Sequence, residues 1–121
     1  MTVLLVEPNV PLANVYRLGF EHAGYDVVVA HDAQSAVQAA DEKRPDVVLL
    51  ELQLAGHSGV EFLYEFQSYV DWQDIPVILN TLVPEKELPV QAGIFREYLY
   101  KPATTLGQLV DAVRALAPVA V

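Results

Sequence analysis

The sequence contains no cysteine. A disulfide framework, a thiolate metal centre and a cysteine nucleophile are thereby excluded, and the absence agrees with a reducing, cytoplasmic setting. Basic residues are scarce: seven Lys and Arg stand against 16 Asp and Glu, a formal net charge of −9. Nucleic-acid binding needs a basic face that replaces counterions, so none is expected of this domain. The acidity suits protein partners or cationic ligands, and serves solubility equally well. Long apolar runs are missing too. Nothing approaches the roughly 20 residues of a membrane span, so no membrane association is expected. The opening MTVLLVEPN has no basic region before it and meets an acid at Glu7, so it reads as a strand and not a signal peptide. No Gly-rich phosphate loop follows it. His22, His31 and His57 lack metal-ligand spacing, and no metal site is expected from them. Ser58 adjoins His57, but adjacency alone does not make a nucleophile pair, and Ser58 is better placed as a helix cap.

What is present is apolar and ordered. Of 121 residues, 53% are hydrophobic, enough for one domain, residues 1–121, with its own core. Short β-branched runs, TVLLV (2–6), DVVVA (26–30), DVVLL (46–50) and PVILN (76–80), read as strands buried on both faces. EYLY (97–100) is a weaker fifth. Helix-period stretches alternate with them. From Asn9 to Ala23 the apolar positions include Leu12, Val15, Tyr16, Phe20 and Ala23; Asn9 is the N-cap, Pro11 sits in the first turn and Gly24 is the stop. Ala33, Ala36, Val37 and Ala40 form a stripe between Asp32 and Lys43, and Pro45 blocks continuation. From Ser58 to about Val70, the residues Val60, Phe62, Leu63, Phe66 and Val70 face inward. Leu106, Leu109, Val110, Val113, Leu116 and Ala117 mark the last helix behind a Thr104 or Thr105 cap. In LVPEKELPVQAGIFR (82–96), Pro84 and Pro89 predict a short or broken fourth helix. Strand and helix alternating in this way give an α/β fold with a parallel sheet and helices on both faces.

In such sheets ligands sit beyond the carboxyl ends of the strands. Glu7 follows the first run, Glu51 the third and Lys101 the fifth, and Thr81 ends the fourth. The second ends in His31 and Asp32, the latter a helix cap. Two carboxylates, a hydroxyl and an ammonium are therefore expected at one sheet edge.

These residues resemble the receiver domain of two-component response regulators. VLLVE looks like the first strand with its acidic end, and RPDVVLLELQLAGHSGVEFL like the phosphoacceptor strand, its loop and the third helix. IPVILNT looks like the fourth strand with its hydroxyl residue, and YLYKP like the fifth with its Lys-Pro. The resemblance implies a flavodoxin-like (βα)5 fold with strand order 2-1-3-4-5. It places Glu51 where the family has its phosphorylated Asp, and Glu7 and Pro8 at the family's acidic pair. It also places Thr81 at the phosphoryl-contacting hydroxyl, Lys101 at the phosphate-pairing lysine and Tyr98 at the switch aromatic.

Two departures follow. Pro8 brings no side-chain oxygen, and Glu7 alone is a poor Mg²⁺ site, so Mg²⁺ binding is expected to be lost or weak and no cofactor is expected. Glu51 carries an extra bond of roughly 1.5 Å relative to Asp, which moves its carboxylate out to about where a phosphoryl group would sit. Displacing a nucleophile by about 1 Å can cost on the order of 100-fold in rate. The same displacement suits a fixed pairing with Lys101 and Thr81. Two readings of Glu51 stand side by side: a permanent, partial mimic of the phosphorylated state, or a structural partner of Lys101. For Tyr98 they are a working switch or an ordinary strand aromatic.

The expected function is that of an atypical, degenerate receiver, a pseudo-receiver with no enzymatic activity and no catalytic residue. It would act in two-component signal transduction as a phosphorylation-independent interaction or dimerisation module. Its partner would be a histidine kinase, a phosphotransfer protein, a downstream effector or a second copy, met through the fourth-helix, fifth-strand and fifth-helix face. Leu82, Leu88, Ile94 and Phe95 are apolar candidates there, for a patch or for core. The alternatives are a receiver still phosphorylated in a phosphorelay, the N-terminal regulatory domain of a longer transcriptional regulator, or a flavin-type small-molecule binder, which the missing phosphate loop disfavours.

Overall fold

A computed structural model describes residues 1–54 and 58–119. Five parallel strands, β1 (Thr2–Val6), β2 (Asp26–Ala30), β3 (Val47–Leu50), β4 (Val77–Thr81) and β5 (Glu97–Tyr100), form one sheet in the order β2-β1-β3-β4-β5. Four α-helices, α1 (Val10–His22), α2 (Ala33–Glu42), α3 (Gly59–Ser68) and α4 (Leu106–Leu116), cover both faces. Alternation along each strand splits the core in two. Val3, Leu5, Val47, Leu49 and Ile78 pack under α1 and α4. Leu4, Val6, Val48, Leu50 and Leu79 pack under α2 and α3. β1, β3 and β4 are buried throughout, as a sheet covered on both faces requires. β2 and β5 are edge strands and only partly buried, which corrects the expectation of two-sided burial for 26–30.

The helix ends follow from side-chain chemistry. Asn9, Asp32, Ser58 and Thr105 each accept a hydrogen bond from a backbone amide of their own first turn, satisfying donors that a helix start leaves free. Thr105 and Gln108 complete a reciprocal capping box. Gly24 supports the left-handed turn after α1 with φ +99°. Two inward assignments fail. Val15 is exposed because α1 buries Ala13, Tyr16 and Phe20, and Val15 lies about 100° round the helix from Tyr16. Val70 is 79% exposed because α3 ends at Ser68 and the chain turns away.

The fourth crossover carries no α-helix. Only a single 3₁₀ turn, Glu85–Glu87, forms between β4 and β5. Pro84 precedes it, and Leu88, ahead of Pro89, leaves the helical region with φ −60° and ψ 123°, as a residue before proline tends to. The fold is thus a (βα)5 plan with four α-helices among the described residues, and α4 is the fifth helix of that plan. Leu88, Ile94 and Phe95 pack half-buried against the core, whereas Leu82 is exposed.

Candidate functional site

Strand register brings the polar residues together. Val6 pairs with Leu50, Leu50 with Leu79, and Thr81 with Tyr100. Glu7, Glu51 and Lys101 are each the next residue beyond a paired strand end, and Thr81 closes β4 at the same edge. Each side chain is therefore delivered by a strand whose preceding residues are fixed by the sheet ladder.

Glu51 is 2% exposed and its carboxylate receives four hydrogen bonds. Oε1 accepts from Lys101 Nζ at 2.7 Å and from the Leu82 amide at 3.1 Å. Oε2 accepts from the Thr81 hydroxyl and from the Gln53 amide at 3.0 Å. A carboxylate has about four lone-pair sites, so this one is saturated. Glu7, also 2% exposed, shares the same cation: its Oε1 lies 2.6 Å from Lys101 Nζ, and its Oε2 accepts from the Asn9 amide at 3.0 Å. Lys101 sits between two buried carboxylates, its side chain 11% exposed. Burial alone would lower its pKa. The hydrogen bonds and negative charges of Glu51 and Glu7 outweigh burial and hold the ammonium above its ordinary 10.5.

The Thr81 hydroxyl also accepts from the Val83 amide at 3.2 Å, and the Val83 carbonyl accepts from the Tyr98 hydroxyl at 2.7 Å. A line of hydrogen bonds thus runs from Glu51 through Thr81 and Val83 to β5. Tyr98 is half-buried against the core, and its phenol pKa is raised, first by burial and then by Glu85 and Tyr100 nearby. Pro8 is half-buried directly after Glu7 and supplies no oxygen.

The sequence places His31 at the end of β2 without naming its partner, and it is silent on the backbone donors. His31 Nδ1 donates to the Glu7 carbonyl at 2.9 Å, pinning the end of β1; its place at a strand end was the available signal. The amides of Gln53, Leu82 and Asn9 had none, since every non-proline residue carries one. His57 lies outside the described residues, and Ser58 caps α3 through the Glu61 amide.

The donor set does not suit Mg²⁺. That ion takes near-octahedral oxygen ligands. Here the carboxylates of Glu7 and Glu51 are committed to an ammonium and to backbone amides. Among the described residues no group of three His, Asp or Glu side chains could hold a metal ion.

Known proteins agree with this architecture. The phosphate regulon transcriptional regulatory protein PhoB of Escherichia coli is 29% identical over 124 residues, which take in 98% of this chain and 54% of PhoB. The chain spans about half the length of the curated relatives it matches. The chemotaxis protein CheY4 of Vibrio cholerae shares the fold with a TM-score of 0.85 at 23% identity, covering 95% of this chain and 97% of CheY4. The response regulator TrrA of Thermotoga maritima, solved in complex with Mg²⁺ and BeF, does so with a TM-score of 0.83 at 21% identity, covering 95% of this chain and 97% of TrrA. No helix among the described residues is long and apolar enough to cross a membrane. Residues 3–114 match the response regulator receiver domain, and the chain belongs to that family, whose members are signalling modules that interact with kinases or effectors.

Proposed function

We propose that this receiver domain works without phosphorylation, as a non-enzymatic protein-interaction module in two-component signalling. In this reading Glu51 occupies the phosphoacceptor position as a fixed charge, a permanent and partial mimic of the phosphorylated state. The observation that carries it is the saturation of Glu51. Its four acceptor sites are taken by Lys101, Leu82, Thr81 and Gln53. A carboxylate with no free lone pair is a poor nucleophile and a poor metal ligand. Lys101 and Thr81, which in the family's chemistry meet the phosphoryl group, are engaged by Glu51 directly. Glu51 carries one negative charge in place of the phosphoryl group's larger charge, which makes the mimicry partial. The line from Thr81 to Tyr98 conveys that state to β5.

The partner is a histidine kinase, a phosphotransfer protein, a downstream effector or a second copy. It docks on the face formed by the 3₁₀ turn, β5 and α4, where Leu82 and Tyr100 are exposed. Because PhoB is about twice as long as the matched region, the chain is also read as the regulatory part of a longer cytoplasmic transcriptional regulator, with no DNA contact of its own. Treatment with acetyl phosphate and Mg²⁺ followed by intact-mass measurement is expected to leave the mass unchanged. Glu51→Ala and Glu51→Gln are both expected to change self-association in sedimentation or affinity for the cognate kinase or effector. A phosphoryl adduct on Glu51, or unchanged association in both variants, would refute the reading.

A further inference from the structure

A groove of about 620 Å³ runs between α2 and α3, on the sheet face away from α1 and α4. From α2 it is lined by Ala33, Gln34, Val37, Gln38 and Asp41. Its floor is aromatic. Phe66 stacks between Phe62 and Trp72, with ring centroids 5.5 and 5.1 Å away, and Tyr69 meets Trp72 edge-on at 4.8 Å. Phe62, Trp72 and Tyr69 line the groove. Half-exposed Tyr69 and exposed Val70 extend the apolar surface at the end of α3.

The charge around this floor has one sign. Asp41 comes from α2, Glu61 and Glu65 from α3, and Asp71 from the following turn, with no Lys or Arg among the lining residues. Arg44 lies nearby, and its Nε donates to the Asp71 backbone carbonyl. An apolar trough with an acidic rim is complementary to a segment that carries apolar and cationic residues together. A second copy of this chain is the less complementary occupant, because its net charge of −9 has the same sign as the rim. Neither Glu51 nor Lys101 lines the groove.

We propose that the α2–α3 groove is a docking site for a basic amphipathic peptide segment of a partner protein, distinct from the β5–α4 face. The segment lays apolar side chains over Val37 and Tyr69, above the buried rings of Phe62 and Trp72, and sets Arg or Lys against Asp41 and Glu65.

The chain's single tryptophan, Trp72, reports on the site directly. The probe is a synthetic helical peptide of alternating Arg and Leu turns, titrated into the full chain while Trp72 emission is followed. Saturable change is expected, with amide shifts clustered on Ala33, Val37, Glu65 and Trp72. The double variant Asp41→Lys/Glu65→Lys, at two exposed positions, is expected to bind at least ~10-fold more weakly. The control Glu21→Lys/Asp111→Lys makes the same change in net charge on α1 and α4 and is expected to stay within ~2-fold. Equal weakening in both doubles would mean diffuse attraction and overturn the proposal. So would a Glu–Leu peptide binding as tightly as the Arg–Leu one. Saturation by arginine amide alone at the peptide's own concentration would make the groove a small-amine site and overturn it as well. Shifts confined to β5 and α4 would place the basic segment elsewhere and do the same.

Discussion

Lys101→Met would leave Glu7 and Glu51 buried with no cation between them. Removing one partner from a buried ion pair costs about 3–5 kcal/mol, and this ammonium serves two carboxylates at 2.6 and 2.7 Å. Urea unfolding is expected to show a loss of at least that order. Thr81→Val removes one donor from Glu51 Oε2 and one acceptor from the Val83 amide, and about 1–3 kcal/mol is expected. The pH dependence has a definite sign. Lys101 is held above 10.5 in the folded state by Glu51 and Glu7 against the opposing effect of burial. Its stabilisation is therefore complete below 10.5 and is lost as pH rises through the folded value. Tyr25 and Tyr98, both raised chiefly by burial above 10.0, act in the same direction. The thermal midpoint is expected to fall as pH climbs past about 10–11. Much of this chemistry was legible in the sequence, because charged and hydroxyl residues at strand ends are unusual enough to be noticed together. The peptide amides that complete the shell of Glu51 were not, since their aim depends on backbone turns that side-chain identity does not encode.

At the level of elements, the start of α3 packs closely on the chain just beyond β3. A Cβ on Gly59 would lie 2.5 Å from Leu52 Cα and 2.7 Å from the Glu51 carbonyl oxygen. Gly59→Ala must therefore push α3 away from the strand end that presents Glu51. A cost of about 1–3 kcal/mol is expected, read by urea unfolding, together with shifted Gln53 and Leu82 amides. Asn9→Ala and Thr105→Ala, which delete helix caps, are expected to cost about 1 kcal/mol each in the same assay. Caps were legible because Asn, Asp, Ser and Thr before an apolar stripe carry their own mechanism. The broken fourth crossover was legible from Pro84 and Pro89. Helix facing was less so. Val15 matched the apolar composition of α1 without matching its buried stripe, and Val70 lay beyond a helix end that no breaker residue marked. Edge strands escaped for a related reason: DVVVA has the composition of a central strand, and only sheet order makes it peripheral.

For the molecule as a whole, two features carry the proposed associations. One is the closed constellation at the strand ends, and the other is the acidic groove between α2 and α3. The groove could not be read from sequence, because its volume depends on how far apart two helices settle, while its residues taken singly look like ordinary solvated acids and core aromatics. The strand-end constellation could be read in outline, because parallel α/β topology sends successive carboxyl ends to one edge. What separates a closed site from an open one is whether it still admits a phosphoryl group. The most direct measurement is an amide spectrum of the isotope-labelled chain before and after Mg²⁺ and beryllofluoride. A site already filled by Glu51 predicts that the amides of Gln53, Thr81, Leu82 and Lys101 stay in place at saturating reagent. Saturable shifts of those amides that require Mg²⁺ would contradict it.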